Sequence, residues 1–204
     1  MRVGVLGGTF DPIHIAHLII AEETRAALEL DRVFFIPASV PPHKRDKTIS
    51  VVEHRVRMVE MAIVSNPHFV LSRLDIDRCE PCYSVNTIER LREELGPDAD
   101  IHFIVGMDSL ADLPTWHEPH RLVALCRLAV VDRPGFQADL GELDAVLPGV
   151  ASRITFIGAP AMAISSTDIR RRVRLGLPIR YQVPDSVEQY VRSQNLYRDD
   201  QDVP

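Results

Sequence analysis

Residues 1–17 read MRVGVLGGTFDPIHIAH, and the fold follows from how that stretch is read. The apolar run Val3-Gly4-Val5-Leu6 has the character of a short buried strand. It breaks at Gly7-Gly8, where a backbone without Cβ atoms can turn tightly and lie close to a ligand. Thr9, Asp11 and Pro12 then carry the chain through a loop into a helix start. His14 and His17 follow at i and i+3, so on a helix they share one face close to its positive N-terminal end. Strand, glycine turn and helix N-terminus make a socket for an anion, and two imidazoles overlook it. Each feature is common taken singly; in this order they point to a polyphosphate site.

Working outward, residues 15–30 are apolar with Glu22, Glu23, Arg25 and Glu29 interspersed, the pattern of a helix covering one face of a sheet. Val33-Phe34-Phe35-Ile36 is a second buried strand, stopped by Pro37. Strand, helix and strand in so short a span predict a right-handed crossover and a parallel sheet. The pattern next predicts an exposed loop over 38–50, a helix over 51–64, and a strand over 69–76 with Arg73 and Asp75 facing one way. A loop over 78–81 and a helix over 83–95, closed by Gly96-Pro97, follow. Further strands are expected at 101–105, 128–131 and 154–157, and helices at 119–125, 165–174 and 185–192; residues 136–150 carry at most one short helix. No repeat, low-complexity tract or long linker divides the chain. The alternation predicts an α/β fold, a doubly wound, Rossmann-like parallel sheet in one domain over 1–204 with a C-terminal helical portion. Ligands of such sheets bind beyond the carboxyl ends of the strands, where Gly7-Gly8, Gly106 and Arg133 all fall.

Composition narrows the function. A chain of 204 residues, 46% hydrophobic, can bury a full core. A net charge of −6 argues against a general nucleic-acid binder, which needs a basic surface to displace counterions. No run approaches the ~20 apolar residues of a membrane span. The N-terminus enters a strand with no basic and apolar leader, so a cytoplasmic location is expected. Cys79 and Cys82 form a CxxC without a second pair, and Cys126 adds only one more sulfur, so neither a zinc site nor a disulfide framework is expected.

A second anion site is readable near the other end. In Ile164-Ser165-Ser166-Thr167-Asp168-Ile169-Arg170, either serine is a good N-cap, and the N–H groups beyond it face outward beside hydroxyls. Arg170 lies one turn on, where a guanidinium can clamp phosphate oxygens; read alone, the segment is more readily an ordinary capped helix with a basic face.

These motifs carry a resemblance. GGTFDPIHIAH at 7–17 is similar to the GGTFDPxHxGH signature of the bacterial nicotinate-nucleotide adenylyltransferases, of the HxGH nucleotidyltransferase superfamily, with Ala16 where glycine is usual. The ISSTDIR stretch at 164–170 resembles that family's ISSTxIR. Pro41-Pro42-His43-Lys44 resembles its PPHK/PPHR loop, and Gly106-Met107-Asp108 followed by Leu113-Pro114-Thr115-Trp116 its GxDS…W segment. Arg133-Pro134-Gly135 resembles its RPG. Cys82-Tyr83-Ser84 with Thr87 occupies the place of PSYT…T, with Cys82 and Asn86 as local departures. The resemblance runs from Met1 to Tyr197, with 136–150 carrying no motif.

What the resemblance implies is transfer of AMP from ATP to nicotinate mononucleotide, with Mg²⁺ on the ATP phosphates and no metal ligand from protein side chains. The nucleophile, a phosphate oxygen, is already ionised and needs no base, so catalysis is positioning and charge stabilisation during in-line attack. The resemblance assigns His14, His17, Lys44 and Arg170 to catalysis. It assigns ATP to Gly8, Thr9, Phe10, His14, His17, Gly106, Asp108, Ser165, Ser166, Thr167 and Arg170. The mononucleotide falls to Lys44, Tyr83, Ser84, Thr87, Trp116 and Arg133. The expected partners are these two substrates, with no nucleic acid and no membrane, and a homo-oligomer is left open. The alternatives are a nicotinamide-mononucleotide or phosphopantetheine adenylyltransferase, or a non-catalytic nucleotide-sensing module.

Overall fold

A computed structural model describes residues 1–39, 49–77, 83–131 and 139–198. Six short apolar runs form strands: β1 (Arg2–Gly8), β2 (Arg32–Pro37), β3 (Phe69–Leu71), β4 (Asp100–Gly106), β5 (Arg127–Val131) and β6 (Ile154–Ile157). They pair in the order β3-β2-β1-β4-β5-β6, and every pairing is parallel. This order reverses direction between β1 and β4, and the crevice outside their carboxyl ends is where a ligand fits.

Alternation along the strands sends side chains to two faces. Val3 and Val5 of β1, Ile36 of β2, Ile101, Phe103 and Val105 of β4, and Leu128 and Val130 of β5 share one core. It is covered by α3 (Ser84–Leu95), α4 (Met107–Asp112), α5 (Pro119–Leu125) and α6 (Leu140–Val146). Leu6, Val33, Phe35, Ile104, Ala129 and Val131 enter the other. That face is covered by α1 (Ile15–Ala27), α2 (Val52–Ile63), α7 (Ser166–Arg174) and α8 (Asp185–Ser193). Strands buried on both faces read as continuous apolar runs, which is why they were legible.

The expected strands and helices match within a residue or three, with one correction; the loop expected over 78–81 and most of that over 38–50 lie outside the described residues. The strand expected over 69–76 stops at Leu71: Ser72 N–H donates to Phe35 O (2.9 Å) as the last rung, and Ile76 N–H then closes a turn on Arg73 O (2.8 Å). Arg73 and Asp75 therefore do not share a face. Arg73 reaches into solvent and pairs with Glu53 (3.1 Å), whereas Asp75 is buried. In the stretch that carried no motif, the short helix is α6, capped by Asp139 Oδ1 accepting from Gly141 N–H (2.8 Å) and Glu142 N–H (3.1 Å).

Candidate active site

The loop leaving β1 is held open by three anchors. Phe10 sits at φ 50°, a conformation costly for a side chain larger than glycine, and its ring is buried edge-on against His17 with centroids 5.1 Å apart. Asp11, 2% exposed, accepts from the Tyr197 hydroxyl at Oδ1 (2.7 Å) and from Ser50 N–H at Oδ2 (3.2 Å). Burial beside that carboxylate raises the Tyr197 pKa, so the hydroxyl stays a donor. The third anchor is α7: Ser166 Oγ donates to Pro12 O (2.9 Å) and the Arg170 guanidinium to Asp11 O (2.7 Å). The two ends of the chain are thus tied together at this loop.

His14 is the N-cap of α1, and His17 lies in its first turn. Their rings stack with centroids 3.7 Å apart and planes 22° off parallel. His14 N–H donates to His17 Nδ1 (3.2 Å). An accepting Nδ1 places the proton of neutral His17 on Nε2, making that nitrogen a donor. His14 is 6% exposed, and burial lowers its pKa to about 4, so it is neutral near pH 7. Its Nδ1 is buried without a hydrogen-bond partner among the described residues.

Two cavities adjoin at this pair. A histidine–serine cavity of about 260 Å³ is lined by His14, Ala16, His17, Asp108, Ser165 and Ser166 together with the 159–164 segment. A tryptophan cavity of about 300 Å³ is lined by Gly7, Gly8, Asp75, Ser84, Thr87, Ser109 and Trp116 among others. His17 and Ile20 of α1, with Gly106 and Val131 at the ends of β4 and β5, line both. A Cβ at Gly106 would clash with Asp108 Oδ1, so a side chain there would require the Asp108 carboxylate to move. The histidine–serine cavity receives the first turns of α1 and α7, whose positive dipole ends favour an anion; of the α1 donors, Ile15 N–H is taken by Gln182 O (2.9 Å) and His17 N–H by His14 O (3.0 Å). Ser165 caps α7, its Oγ accepting from Asp168 N–H (3.1 Å).

The tryptophan cavity has different chemistry. Trp116 packs edge-on against Phe103 (6.1 Å between centroids) and lends the wall a flat apolar surface. Ser84 opens α3, so a second helix N-terminus faces this space. Tyr83 does not line the cavity; it stacks on His117, centroids 4.2 Å apart, and fixes the approach to α3.

The structure therefore gathers His14, His17, Ser165, Ser166, Asp108 and Gly106 around one cavity, and Gly8, Ser84, Thr87 and Trp116 around its neighbour. Phe10 contributes packing rather than lining, and Arg170 is turned onto Asp11 O, with Thr167 Oγ1 3.5 Å from its guanidinium. Lys44 and Arg133 lie outside the described residues, as do Pro41, Pro42, His43, Pro134, Gly135, Cys79 and Cys82. Among the described residues no three His, Cys, Asp or Glu side chains cluster as a metal site, and no helix is long and apolar enough to cross a membrane.

Two residues escaped the sequence reading. Arg55 of α2 is 1% exposed and donates to four backbone carbonyls: Thr9 (2.8 Å), Ala38 (2.7 Å), Ser39 (2.9 Å) and Ser50 (3.1 Å). It staples the loop after β1 to the segments before and after residues 40–48. A basic residue in an amphipathic helix ordinarily reads as solvated, so nothing in the pattern marks it. Asp75, hidden in the expected strand, is the other; its raised pKa of about 6 follows from burial in the wall of the tryptophan cavity.

The chain is similar in sequence and in fold to proteins of one family. The cytidylyltransferase-like family matches residues 5–172. A protein of Thermomicrobium roseum named "Probable nicotinate-nucleotide adenylyltransferase" is 47% identical over 97% of this chain and 92% of its own. A protein of the same name from Roseiflexus sp. is 47% identical over 96% of this chain and 98% of its own. The structure of Plasmodium falciparum nicotinic acid mononucleotide adenylyltransferase complexed with NaAD is similar in fold, with a TM-score of 0.79 at 22% identity over 96% of this chain and 97% of that one. The chain belongs to the cytidylyltransferase-like family and, within it, to the nicotinate-nucleotide adenylyltransferases.

Proposed function

We propose that this chain transfers the adenylyl group of ATP to nicotinate mononucleotide, releasing pyrophosphate and nicotinate adenine dinucleotide. The observation that carries the reading is the meeting of two cavities at His17, one walled by anion-binding helix N-termini and the other by an aromatic face. ATP takes the histidine–serine cavity, with its triphosphate against the first turns of α1 and α7. Nicotinate mononucleotide takes the tryptophan cavity, its pyridine ring against Trp116 and its carboxylate at the N-terminus of α3 beside Ser84.

A phosphate oxygen of the acceptor attacks the α-phosphorus in line. The new P–O bond forms as the bond to the β-phosphate oxygen breaks, and pyrophosphate leaves with the electron pair. No protein group is covalently modified. His17, donating through Nε2, holds an α-phosphate oxygen on which charge builds up, and His14 assists as a neutral donor. Gly8 and Gly106 let the reacting groups approach the backbone closely. Lys44 and Arg133 are assigned to the phosphates by their place in the family motifs. Arg170 acts through the loop it holds, and Thr167 lies beside it. A divalent cation, Mg²⁺, would be carried on the ATP phosphates and would neutralise part of their charge, with no protein side chain assigned as its ligand. A cytoplasmic location goes with this role.

The test is pyrophosphate release from ATP with nicotinate mononucleotide, nicotinamide mononucleotide or phosphopantetheine supplied separately. The proposal expects the highest kcat/KM with nicotinate mononucleotide. Release driven better by either other acceptor, or by none, overturns it.

A further inference from the structure

Asp75 stands where the proposed acceptor carboxylate is to bind. Its side chain is 8% exposed, lines the tryptophan cavity, and accepts through Oδ1 from the Thr87 hydroxyl at 2.8 Å. Thr87 belongs to the first turns of α3, and its Oγ1 is also 3.2 Å from Tyr83 O. One hydroxyl proton serves only one of these acceptors fully. With Asp75 ionised, the proton points to the carboxylate. With Asp75 protonated, the carboxyl donates to Thr87 Oγ1 and the hydroxyl donates to Tyr83 O, so all three groups are bonded. Both charge states therefore have a satisfied arrangement, and a proton can be gained without moving the backbone.

The proposed function puts a second carboxylate at the same helix N-terminus, and this inference rests on that reading. Two carboxylates in one largely apolar cavity repel strongly enough that one ionises and the other stays protonated. We propose that Asp75 takes up a proton from solvent when a mononucleotide bearing a pyridine carboxylate binds, and not when the mononucleotide bears a carboxamide. Burial already pushes the Asp75 pKa up to about 6, so the free site is mostly ionised near pH 7.5. Arg90 of α3 favours the charged form, His17 lies across the cavity, and Tyr83 is stacked on His117. Arg73 is engaged by Glu53 and Asp77. Asp75 thereby sets how acceptor preference varies with pH: acid favours the carboxylate, base narrows its advantage.

The experiment is calorimetry of the full-length protein titrated with nicotinate mononucleotide at pH 7.5, in two buffers of different ionisation enthalpy, for the wild type and Asp75→Asn. The acceptor's phosphate titrates equally in both proteins and cancels. The expected result is close to one more proton taken up by the wild type than by the variant. The kinetic counterpart is the ratio of kcat/KM for the carboxylate over the carboxamide acceptor. It is expected to fall by roughly tenfold per pH unit above pH 6.5 in the wild type and to stay flat in the variant. Equal proton uptake overturns the proposal. So does a wild-type ratio independent of pH, a result that needs no variant to fold. Pyrophosphate release with neither mononucleotide would instead overturn the proposed function, while release with a pH-independent ratio overturns the role of Asp75 alone.

Discussion

Replacing Arg55 with methionine keeps the apolar stem and removes four donated hydrogen bonds to Thr9, Ala38, Ser39 and Ser50. A bond from a charged donor contributes about 1.5–3 kcal/mol, so a simple sum for four is about 6–12 kcal/mol. That sum overshoots, because removing the guanidinium also removes the cost of burying its charge. A loss of about 3–5 kcal/mol is what remains, a large share of the ~5–15 kcal/mol that holds a typical domain folded. For a chain of this size, each kcal/mol moves Tm by about 2–4 °C, so the melt should shift down by roughly 6–20 °C. The kinetic effect follows from which carbonyls are released. Thr9 and Ala38 flank the Gly8 wall of the tryptophan cavity, so kcat/KM for the acceptor should fall by roughly ten- to a hundredfold as the positioning loosens. Arg55→Lys should recover little, since a point donor cannot bridge three chain segments. Calorimetric melts and steady-state kinetics read both effects. A variant that melts within 2 °C of the wild type with unchanged kcat/KM would refute the stapling role.

Three further outcomes are expected. His14 has a folded pKa of about 4 against an ordinary 6.5, so its neutral form is favoured by folding. Stability is then fully present above pH 6.5 and falls by up to about 3 kcal/mol as pH drops to 4; denaturant melts across that range should lose most of this slope in His14→Gln. Asp75 is the opposite case, with a folded pKa of about 6 against 3.8. Its contribution is present below pH 3.8 and lost as pH rises through 6, so Asp75→Asn should be more stable than the wild type at pH 8, by up to about 3 kcal/mol, and equal to it in acid. Tyr197→Phe removes the buried donor to Asp11 Oδ1 and should cost about 1–3 kcal/mol in urea unfolding.

How much of this was readable from sequence depended on whether the signal was local. Val3-Gly4-Val5-Leu6 ending at Gly7-Gly8 announced β1 because a strand buried on both faces must be apolar throughout. His14 and His17 were placed on one helical face by their spacing, and Ser165 as a cap by residue type. Asp11 and Tyr197, by contrast, are 186 positions apart, and no periodicity links them. Arg55 lies within an amphipathic pattern that assigns charge to solvent, yet it is buried because the carbonyls of Thr9, Ala38 and Ser39 beyond two strand ends, and of Ser50 before α2, need donors there. Asp75 was misplaced because alternation over 69–76 imitates a strand, and only the turn at Arg73–Ile76 reveals which way it points. The arrangement of the two cavities about His17 is a property of the crossed strand order, which residue types alone do not specify.

The role of His17 is tested most directly by kcat of His17→Ala with ATP and nicotinate mononucleotide at saturation, in protein whose circular dichroism and melt match the wild type. Loss of a donor aimed at charge developing on the α-phosphate should lower kcat by about 10²–10³-fold. An unchanged kcat would contradict the claim that the two substrates meet at this histidine.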